Sequence, residues 1–432
     1  MTARVVRTLD WIDPLAVAAG LADRDGAVCL LSDGGANGRQ SYVACEPDRV
    51  VTARMAADRP FALLAEAGMD RFLIGLATYD AGARGATGDR GAAPGDWPDL
   101  TLARYPAMLV FDHQAGLVSA LGLGADEVEA GEAAGRATDW IAEAATPRPG
   151  EAPATELEPE RSGDDYLRAV ADVVERIAAG EIFQANIARA WRGELKPGAD
   201  PFEVFVRLAA GAAPYGAFWR MGERVLVSNS PELFLIFDPA GRRIETRPIK
   251  GTRPRDADSG VDAANAADLV ASAKDRAENL MIVDLMRNDL SRAARPGSVR
   301  VEKLFALESF ATVHHLVSTV TAEAQDGVGA AEVLAAAFPP GSITGAPKHQ
   351  AMRVIAEHEP PRGPWCGSLF LLEHEGALTA SVLIRTIGFH REGAGWAFRT
   401  LAGAGIVADS DPASELAETE AKIAAIRRAL TG

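Results

Sequence analysis

Lysine is scarce in this chain. It occurs at only six of 432 positions, residues 196, 250, 274, 303, 348 and 422, while arginine serves wherever a plain positive charge suffices. A lysine kept in such a background is a candidate for work that needs a compact cation able to shed its proton when buried. Lys250 stands in TRPIKGTRPR (246–255), whose apolar and proline flanks suggest a strand end entering a tight turn. Neighbouring cations would depress its pKa, the direction a nucleophilic amine requires, and a surface lysine among arginines is the plainer alternative. Two acidic pairs also stand out. Asp275 and Glu278 are three residues apart, as are Glu415 and Glu418, with Lys422 one turn beyond. Each pair shares a helix face. Four carboxylates from two helices could converge on a hard cation such as Mg²⁺, which takes about six oxygen ligands; two solvated helix faces are the alternative. The run Pro339–Lys348 leads into a helix with Pro347 near its first turn, where free backbone N–H groups suit a carboxylate. Gly403-Ala404-Gly405 follows a strand and could let a ligand approach the backbone closely. Ordinary turns would explain both equally. His314 and His315 lie in a strand-like run and so point to opposite faces, one toward a site or both into packing. No Ser-His-Asp set, Walker loop or dinucleotide fingerprint occurs.

The elements that must position these residues fall on either side of a Pro-, Ala- and Glu-rich linker at 146–165, which separates an N-terminal segment, 1–145, from a second, 166–432. In the first, Ala27–Ser32 and Ser41–Ala44 read as strands around the loop Asp33–Gln40. Arg71–Tyr79 and Ala107–Asp112 read as strands too, and Phe61–Ala67 and Ala125–Ala145 as helices. In the second, Leu167, Val170, Val174 and Ile177 recur at helical spacing over Tyr166–Ala179. Strand-like runs come next at Ala185–Trp191, Tyr215–Met221, Arg224–Ser228 and Leu233–Asp238. Helices are expected over Val261–Met286, Gly329–Ala337 and Pro412–Leu430, and strands over Gly367–Glu373, Ala377–Ile387 and Gly395–Leu401. Strands broken by helices without βαβ alternation imply an α+β fold with large, mostly antiparallel β-sheets packed with helices.

Composition narrows the function. Hydrophobic residues make up 48% and charged residues 24%, enough for a sizeable core. The net charge of -16, with no basic run, argues against a nucleic-acid or acidic-membrane binder, so an anionic substrate would need a local cationic cluster or a metal. Cys29, Cys45 and Cys366 form neither a disulfide framework nor a zinc pattern, which suits a reducing cytoplasm. No apolar stretch approaches the roughly 20 residues of a membrane helix. Asp10 and Asp13 interrupt the stretch after Arg4 and Arg7, so no signal peptide is expected.

Several segments, in order, resemble the chorismate-utilising enzymes, and within them the component I branch shared by aminodeoxychorismate and anthranilate synthases. They are GEIFQ (180–184), Ser230-Pro231-Glu232, PIKGTRPR (248–255), ENLMIVDLMRNDLSR (278–292), VHHLVS (313–318), GSITGAPK (341–348), Ile384-Arg385-Thr386 and AGAGIVADSDPASELAETEAK (402–422). LLSDG (30–34), SYVACEP (41–47) and GLATYD (75–80) resemble the family's variable N-terminal part. The resemblance implies the family's α+β fold and a catalytic region over 166–432. It implies that Glu278 and Glu418 bind Mg²⁺, with Asp275, where the family usually has Glu, and Glu415 assisting through water. Arg385, the backbone of Gly403, Ala404 and Gly405, and Lys422, with Thr252 and Thr344, would bind chorismate. Gln184 stands where water-using relatives carry an activating lysine, so ammonia is the expected nucleophile. Lys250 stands where anthranilate synthases usually have alanine, and would attack ring C2 before ammonia adds at C4. Glu232 is the expected acid for the departing hydroxyl, and His315 the active-site histidine. The implied product is 4-amino-4-deoxychorismate, precursor of 4-aminobenzoate and folate. The alternatives are an anthranilate synthase, another amino-chorismate enzyme, or a non-catalytic chorismate- or tryptophan-binding regulator. A separate glutamine amidotransferase subunit is the expected ammonia source, and LLSDG marks a tryptophan pocket or an ordinary turn. Phe370-Leu371 replace the family's usual Gly-Tyr, whose tyrosine touches a substrate carboxylate, and Thr379-Ala380 replace an acidic-polar pair.

Overall fold

Two large antiparallel sheets organise the chain. A computed structural model describes residues 2–35, 38–54, 61–66 and 70–432; parts of the expected loop Asp33–Gln40 and the end of the expected helix Phe61–Ala67 lie outside the described residues. The first sheet has 12 strands, one of them the short Glu158–Pro159 that pairs with Gln184–Glu194 off the main path. Its order runs from Ala3–Asp10 through Leu117–Gly124, Ala107–Asp112, Gln40–Ala44 and Val28–Leu31 to Tyr215–Met221 and Arg224–Ser230. It ends with Thr386–Glu392, Gly395–Ile406, Gln184–Glu194 and the short Gly345–Ala346. The second has 10 strands, running from Ile249–Pro254 through Val313–Glu323, Arg243–Thr246, Leu233–Asp238, Leu378–Val382 and Ser368–Leu372 to Phe72–Ala77, Leu100–Tyr105 and Arg49–Ala53. Arg300–Ser309 pairs with Val313–Glu323 as a further edge strand.

The linker divides the sequence, but each sheet draws strands from both sides of it. Val28–Leu31 pairs with Tyr215–Met221, and Phe72–Ala77 with Ser368–Leu372. Alternation places apolar residues of both sheets in one core, where Cys29, Ile74, Leu76, Phe218 and Trp219 are almost fully buried.

Local chemistry sets several boundaries. The capping box of Ser162 and Asp165 starts the helix Gly163–Ala178. The helix expected over Val261–Met286 is two, Ser259–Ala271 and Ala273–Ser291. Ser272 adopts an extended conformation between them and its side chain accepts from the Asp275 N–H, so an N-cap wins over continuous alanine-rich propensity. The run expected as one strand, Ala377–Ile387, breaks at Arg385, whose φ is 52°. Leu378–Val382 stays in the second sheet and Thr386–Glu392 crosses to the first. Gly403-Ala404-Gly405 does not come after a strand; it lies within Gly395–Ile406, paired with Gln184–Glu194. No helix among the described residues is long and apolar enough to cross a membrane.

Candidate active site

The site forms where the chain passes between the two sheets. Ser230-Pro231-Glu232 links Arg224–Ser230 of the first sheet to Leu233–Asp238 of the second. The Leu383–Arg385 segment makes the reverse crossing. The crossings bind each other: the Val382 N–H donates to the Glu232 carbonyl at 3.1 Å, and the Asn229 N–H to the Arg385 carbonyl at 3.1 Å. Glu232 and Arg385, 153 residues apart in sequence by subtraction of their numbers, are thereby held together.

Lys250 enters from the strand Ile249–Pro254, whose pairing with Val313–Glu323 shifts register between Ile249 and Thr252. Gly251 fills the shift at φ 84°, where a Cβ would lie 2.9 Å from Asp275 Cβ. Opposite, on the first sheet, a Cβ at Gly405 would lie 3.0 Å from Gln184 Nε2 and 3.1 Å from Lys250 Nζ. Lysine amine and glutamine amide therefore converge over a strand position that only glycine leaves open. Gln184 is fully buried, and among the described residues neither its Oε1 nor its Nε2 has a hydrogen-bond partner. A buried amide with both ends unmet is costly, so this one is built for something that binds beside it.

Electrostatics sets these groups apart from ordinary core residues. Burial lowers the Lys250 pKa, Glu278 opposes it, and Lys422 adds to the depression. Burial raises Glu232 to about 7, partly offset by the Ser342 hydroxyl, Lys250 and the Ile249 N–H. A carboxyl that holds its proton near neutrality thus shares the site with an amine that tends to lose one. His315, opposite Thr252 in the register, shares a hydrogen bond through Nδ1 with Thr252 Oγ1 at 2.9 Å, and its buried Nε2 has no partner among the described residues. Burial and then Arg385 lower its pKa to about 4, so the imidazole is neutral at pH 7. Burial also lowers Arg385, and among the described residues no carboxylate pairs with its guanidinium. An unpaired, largely enclosed guanidinium is a ready anion site. Beyond Thr400, Gly395–Ile406 has outrun its partner Thr386–Glu392, leaving one edge without a strand. Lys422 Nζ donates to the Gly403 carbonyl there at 2.8 Å and pairs with Glu418 at 2.6 Å.

The four expected metal-side carboxylates differ in state. Burial raises Glu278, with Lys250 and Lys274 opposing and Asp275 and Glu418 adding. Burial acts most strongly on Glu418 and would raise it, but Lys422, Lys250 and Lys274 together outweigh it and the pKa falls. Asp275 is paired with Arg253 at 3.1 Å, and Glu415 is buried and accepts from the Ser410 hydroxyl at 2.7 Å. Among the described residues no three His, Cys, Asp or Glu side chains stand close enough together to hold a metal. Mg²⁺, however, is commonly held by one or two carboxylates plus water and substrate oxygens. The hard oxygens of Glu278 and Glu418, from two helices and electrostatically coupled, fit that pattern.

Some expected residues do other work. The Thr344 hydroxyl lies 3.1 Å from the Pro340 carbonyl and 3.2 Å from that of Gly341, inside its own turn. Lys348 is spent on that loop's anchorage, donating to Asp289 and to the Ala337 and Pro339 carbonyls. Ser342, which hydrogen-bonds Glu232, had no spacing to single it out within GSITGAPK. Phe370 packs against Gly75, where a Cβ would lie 2.1 Å from its ring, and edge-on to Phe61. Leu371 lines an intersheet cavity of about 190 Å³ with Leu30, Leu31, Tyr42, Tyr215 and Ile236.

An unpaired guanidinium, a proton-bearing carboxyl, an amine disposed to be neutral and an unsatisfied amide, gathered between two antiparallel sheets, describe an enzyme site for a small carboxylated molecule. The family model of chorismate binding enzymes matches residues 35–428, and the chain belongs to that family. It is 40% identical to aminodeoxychorismate synthase component 1 of Escherichia coli over 336 residues, 77% of this chain and 71% of that one. It is 37% identical to anthranilate synthase component 1 of Thermus thermophilus, over 77% of this chain and 71% of that one. Anthranilate synthase component I from Streptococcus pneumoniae superposes with a TM-score of 0.77 at 25% identity, over 91% of this chain and 93% of that one. The menaquinone-specific isochorismate synthase of Escherichia coli shares the fold, with a TM-score of 0.77 at 19% identity over 100% of this chain and 95% of that one.

Proposed function

We propose that this chain is an aminodeoxychorismate synthase component I that converts chorismate and ammonia to 4-amino-4-deoxychorismate and water. The observation carrying this reading is the convergence of Lys250 and the unsatisfied Gln184 amide over Gly405. In the first step, neutral Lys250 Nζ bonds to ring C2, the two conjugated double bonds shift from C1=C2 and C5=C6 to C1=C6 and C4=C5, and the C4–O bond breaks. Glu232 gives its proton to the departing hydroxyl, which leaves as water; a well-placed acid contributes about 10²–10⁴-fold. Ammonia then bonds to C4, both double bonds shift back, and the C2–N bond breaks, returning Lys250 as a neutral amine. The extra proton on the new C4 ammonium returns to Glu232. Gln184 offers ammonia a carbonyl acceptor and cannot serve as a base toward water. Neutral His315 presents its free Nε2 to the ring.

Arg385, Lys422 and the free strand edge at Gly403, Ala404 and Gly405 take one substrate carboxylate. Bound Mg²⁺, on Glu278 and Glu418 with Asp275 and Glu415 behind them, would supply positive charge for the ring carboxylate. Every residue in this scheme lies within 166–432. Ammonia comes from a separate glutamine amidotransferase subunit. The intersheet cavity beside Leu30 and Leu31, apolar with Tyr42 and Tyr215 at its wall, suits tryptophan. Three free, buried cysteines suit a reducing compartment such as the cytoplasm.

The test is to incubate the purified chain with chorismate, Mg²⁺ and ammonium at mildly alkaline pH and identify the product by mass and chromatography. An aminochorismate that aminodeoxychorismate lyase converts to 4-aminobenzoate is expected. Anthranilate would replace the reading with an anthranilate synthase. No turnover, even with a glutaminase and glutamine added, would leave a binding protein.

A further inference from the structure

The strand Gln184–Glu194, which carries the unsatisfied amide, is paired along one edge with Gly395–Ile406 from Ala185 to its end. Its other edge is covered only in part, by Gly345–Ala346 at Gln184 and Ala185 and by Glu158–Pro159 at Trp191 and Arg192. Between them two side chains do the work of a strand. The Ala188 N–H donates to Glu359 Oε1 at 2.7 Å, and the Asn186 carbonyl accepts from Arg362 Nη2 at 2.6 Å. The same guanidinium donates through Nη1 to the Ile343 carbonyl at 3.0 Å, and through Nε and Nη2 to Glu359 at 2.8 and 2.9 Å. Four of its five N–H donors are thereby used.

This pair lies deep in the molecule. Arg362 and Glu359 are 2% and 4% exposed. The guanidinium lies over the Tyr79 and Trp365 rings, 4.4 and 5.1 Å from their centroids. The backbone N–H groups of Arg362 and Gly363 donate to the Asp80 carboxylate at 3.1 and 2.7 Å, which fixes the segment that bears the arginine. Burying two charges commonly costs more than their attraction returns, and apolar side chains of similar volume often serve a core as well. What the pair gives instead follows from where its bonds end. Ile343 follows Ser342, whose hydroxyl meets Glu232, and Asn186 lies two residues from Gln184 on the same strand. One planar, forked cation therefore spans the loop behind the acid and the strand behind the amide.

We propose that Glu359 and Arg362 are positioning residues for amination: they lock the Ser342 loop to the Gln184 strand, so that Glu232 and the Gln184 amide address the same ring carbon. This rests on the aminating function above. Neither residue touches the reacting atoms, and the groups proposed to take the substrate carboxylates, Arg385, Lys422 and the Gly403–Gly405 edge, are bonded elsewhere.

The test is the double variant Glu359→Gln/Arg362→Met in the full chain, with chorismate, Mg²⁺ and ammonium. It removes both charges together, keeps an acceptor for the Ala188 N–H, and strips the donors from Ile343 and Asn186. The kcat should fall at least tenfold and the KM for ammonium should rise, while the KM for chorismate stays near wild type. Lys250, Lys422 and the Cys366 thiol are the titratable groups acting with Glu232, and the Ser342 hydroxyl lowers its pKa. The pH–rate limb that Glu232 sets near 7 should therefore move upward in the variant. So should the pH at which the Glu232 carboxyl stretch disappears, read by infrared difference spectroscopy against Glu232→Gln. Asp200→Asn/Arg220→Met is the matched control. Arg220 is also buried, bonded to a carboxylate and a carbonyl and set over aromatic rings, and that variant should keep its rate. A wild-type kcat and an unmoved limb in the first variant overturn the proposal, as does an equal loss of rate in the control. If the first variant does not fold, Arg362→Lys carries the same test, because an ammonium keeps the charge but cannot fork to Glu359, Ile343 and Asn186 together. A wild type that made no aminochorismate would count against the aminating function, while the infrared shift still decides the positioning role.

Discussion

Two residues at the site are held in protonation states opposite to those they show in water. Lys250 is pushed toward neutrality chiefly by burial, and Glu232 is raised to about 7 by the same cause. Their pKa values approach one another, and the first step needs Lys250 neutral and Glu232 protonated together, so the rate should follow a bell-shaped pH profile with one limb near 7, the Glu232 value. Replacing Lys250 with alanine should abolish amination at C4 and the covalent lysine–ring adduct, which intact-protein mass spectrometry reads; a wild-type rate in that variant would sink the covalent route. Glu232→Gln should cost about 10²–10⁴-fold in turnover. It should also change stability in a pH-dependent way. The folded pKa of Glu232 lies above the ordinary 4.5, so its contribution is complete below 4.5 and is lost as pH rises through about 7. A shift of that size corresponds to about 3 kcal/mol. Relative to wild type, Glu232→Gln should therefore be more stable at pH 8 than at pH 5 by urea denaturation. An equal difference at both values would mean that Glu232 is not buried as a neutral acid.

At the scale of elements, the site depends on irregularities. The register shift at Gly251, the left-handed turn at Arg385 and the overrun of Gly395–Ile406 past its neighbour each end regular pairing where a ligand needs room. Gly405 is the most exposed to test. Gly405→Ala places a Cβ 3.0–3.1 Å from both Gln184 Nε2 and Lys250 Nζ, so one or both must give way by a few tenths of an ångström. The cost to stability should be about 1–3 kcal/mol or less, because the contacts are side-chain ends. The cost to kcat/KM with ammonium should exceed tenfold, since both displaced groups face the reacting atoms. A variant that lost melting temperature but kept its rate would place Gly405 in packing and not in the site.

At the scale of the molecule, the site belongs to two sheets that neither sequence segment builds alone. Removing 1–145 takes Val28–Leu31 from beside Tyr215–Met221 and Phe72–Ala77 from beside Ser368–Leu372, uncovering Phe218 and Leu369, which are buried in the whole chain. A fragment of residues 166–432, although it carries every proposed catalytic residue, should lack a cooperative thermal transition and near-ultraviolet dichroism. A fragment melting like the intact chain would show that the sheets tolerate losing the five strands of the first sheet and three of the second that lie within 1–145.

The roles expected of Glu232 and Gln184 came from the resemblance to the chorismate-utilising enzymes, whereas residue chemistry and short-range pattern were enough to set the α+β class, most strand positions of the second segment, and Lys250 as a candidate nucleophile. The latter arise from alternation, turn chemistry and local motifs, which act over a few residues. The joining of both segments into shared sheets, the split at Ser272 and the crossing at Arg385 were not legible, because an apolar run reads alike whether it stays in one sheet or passes to another. The same holds for the Ser342 hydroxyl on Glu232, the Arg253 partner that occupies Asp275, and the glycine floor beneath Lys250. Which groups are desolvated together, and which charges are already matched, depends on contacts between residues far apart in sequence, and only the folded chain fixes those contacts.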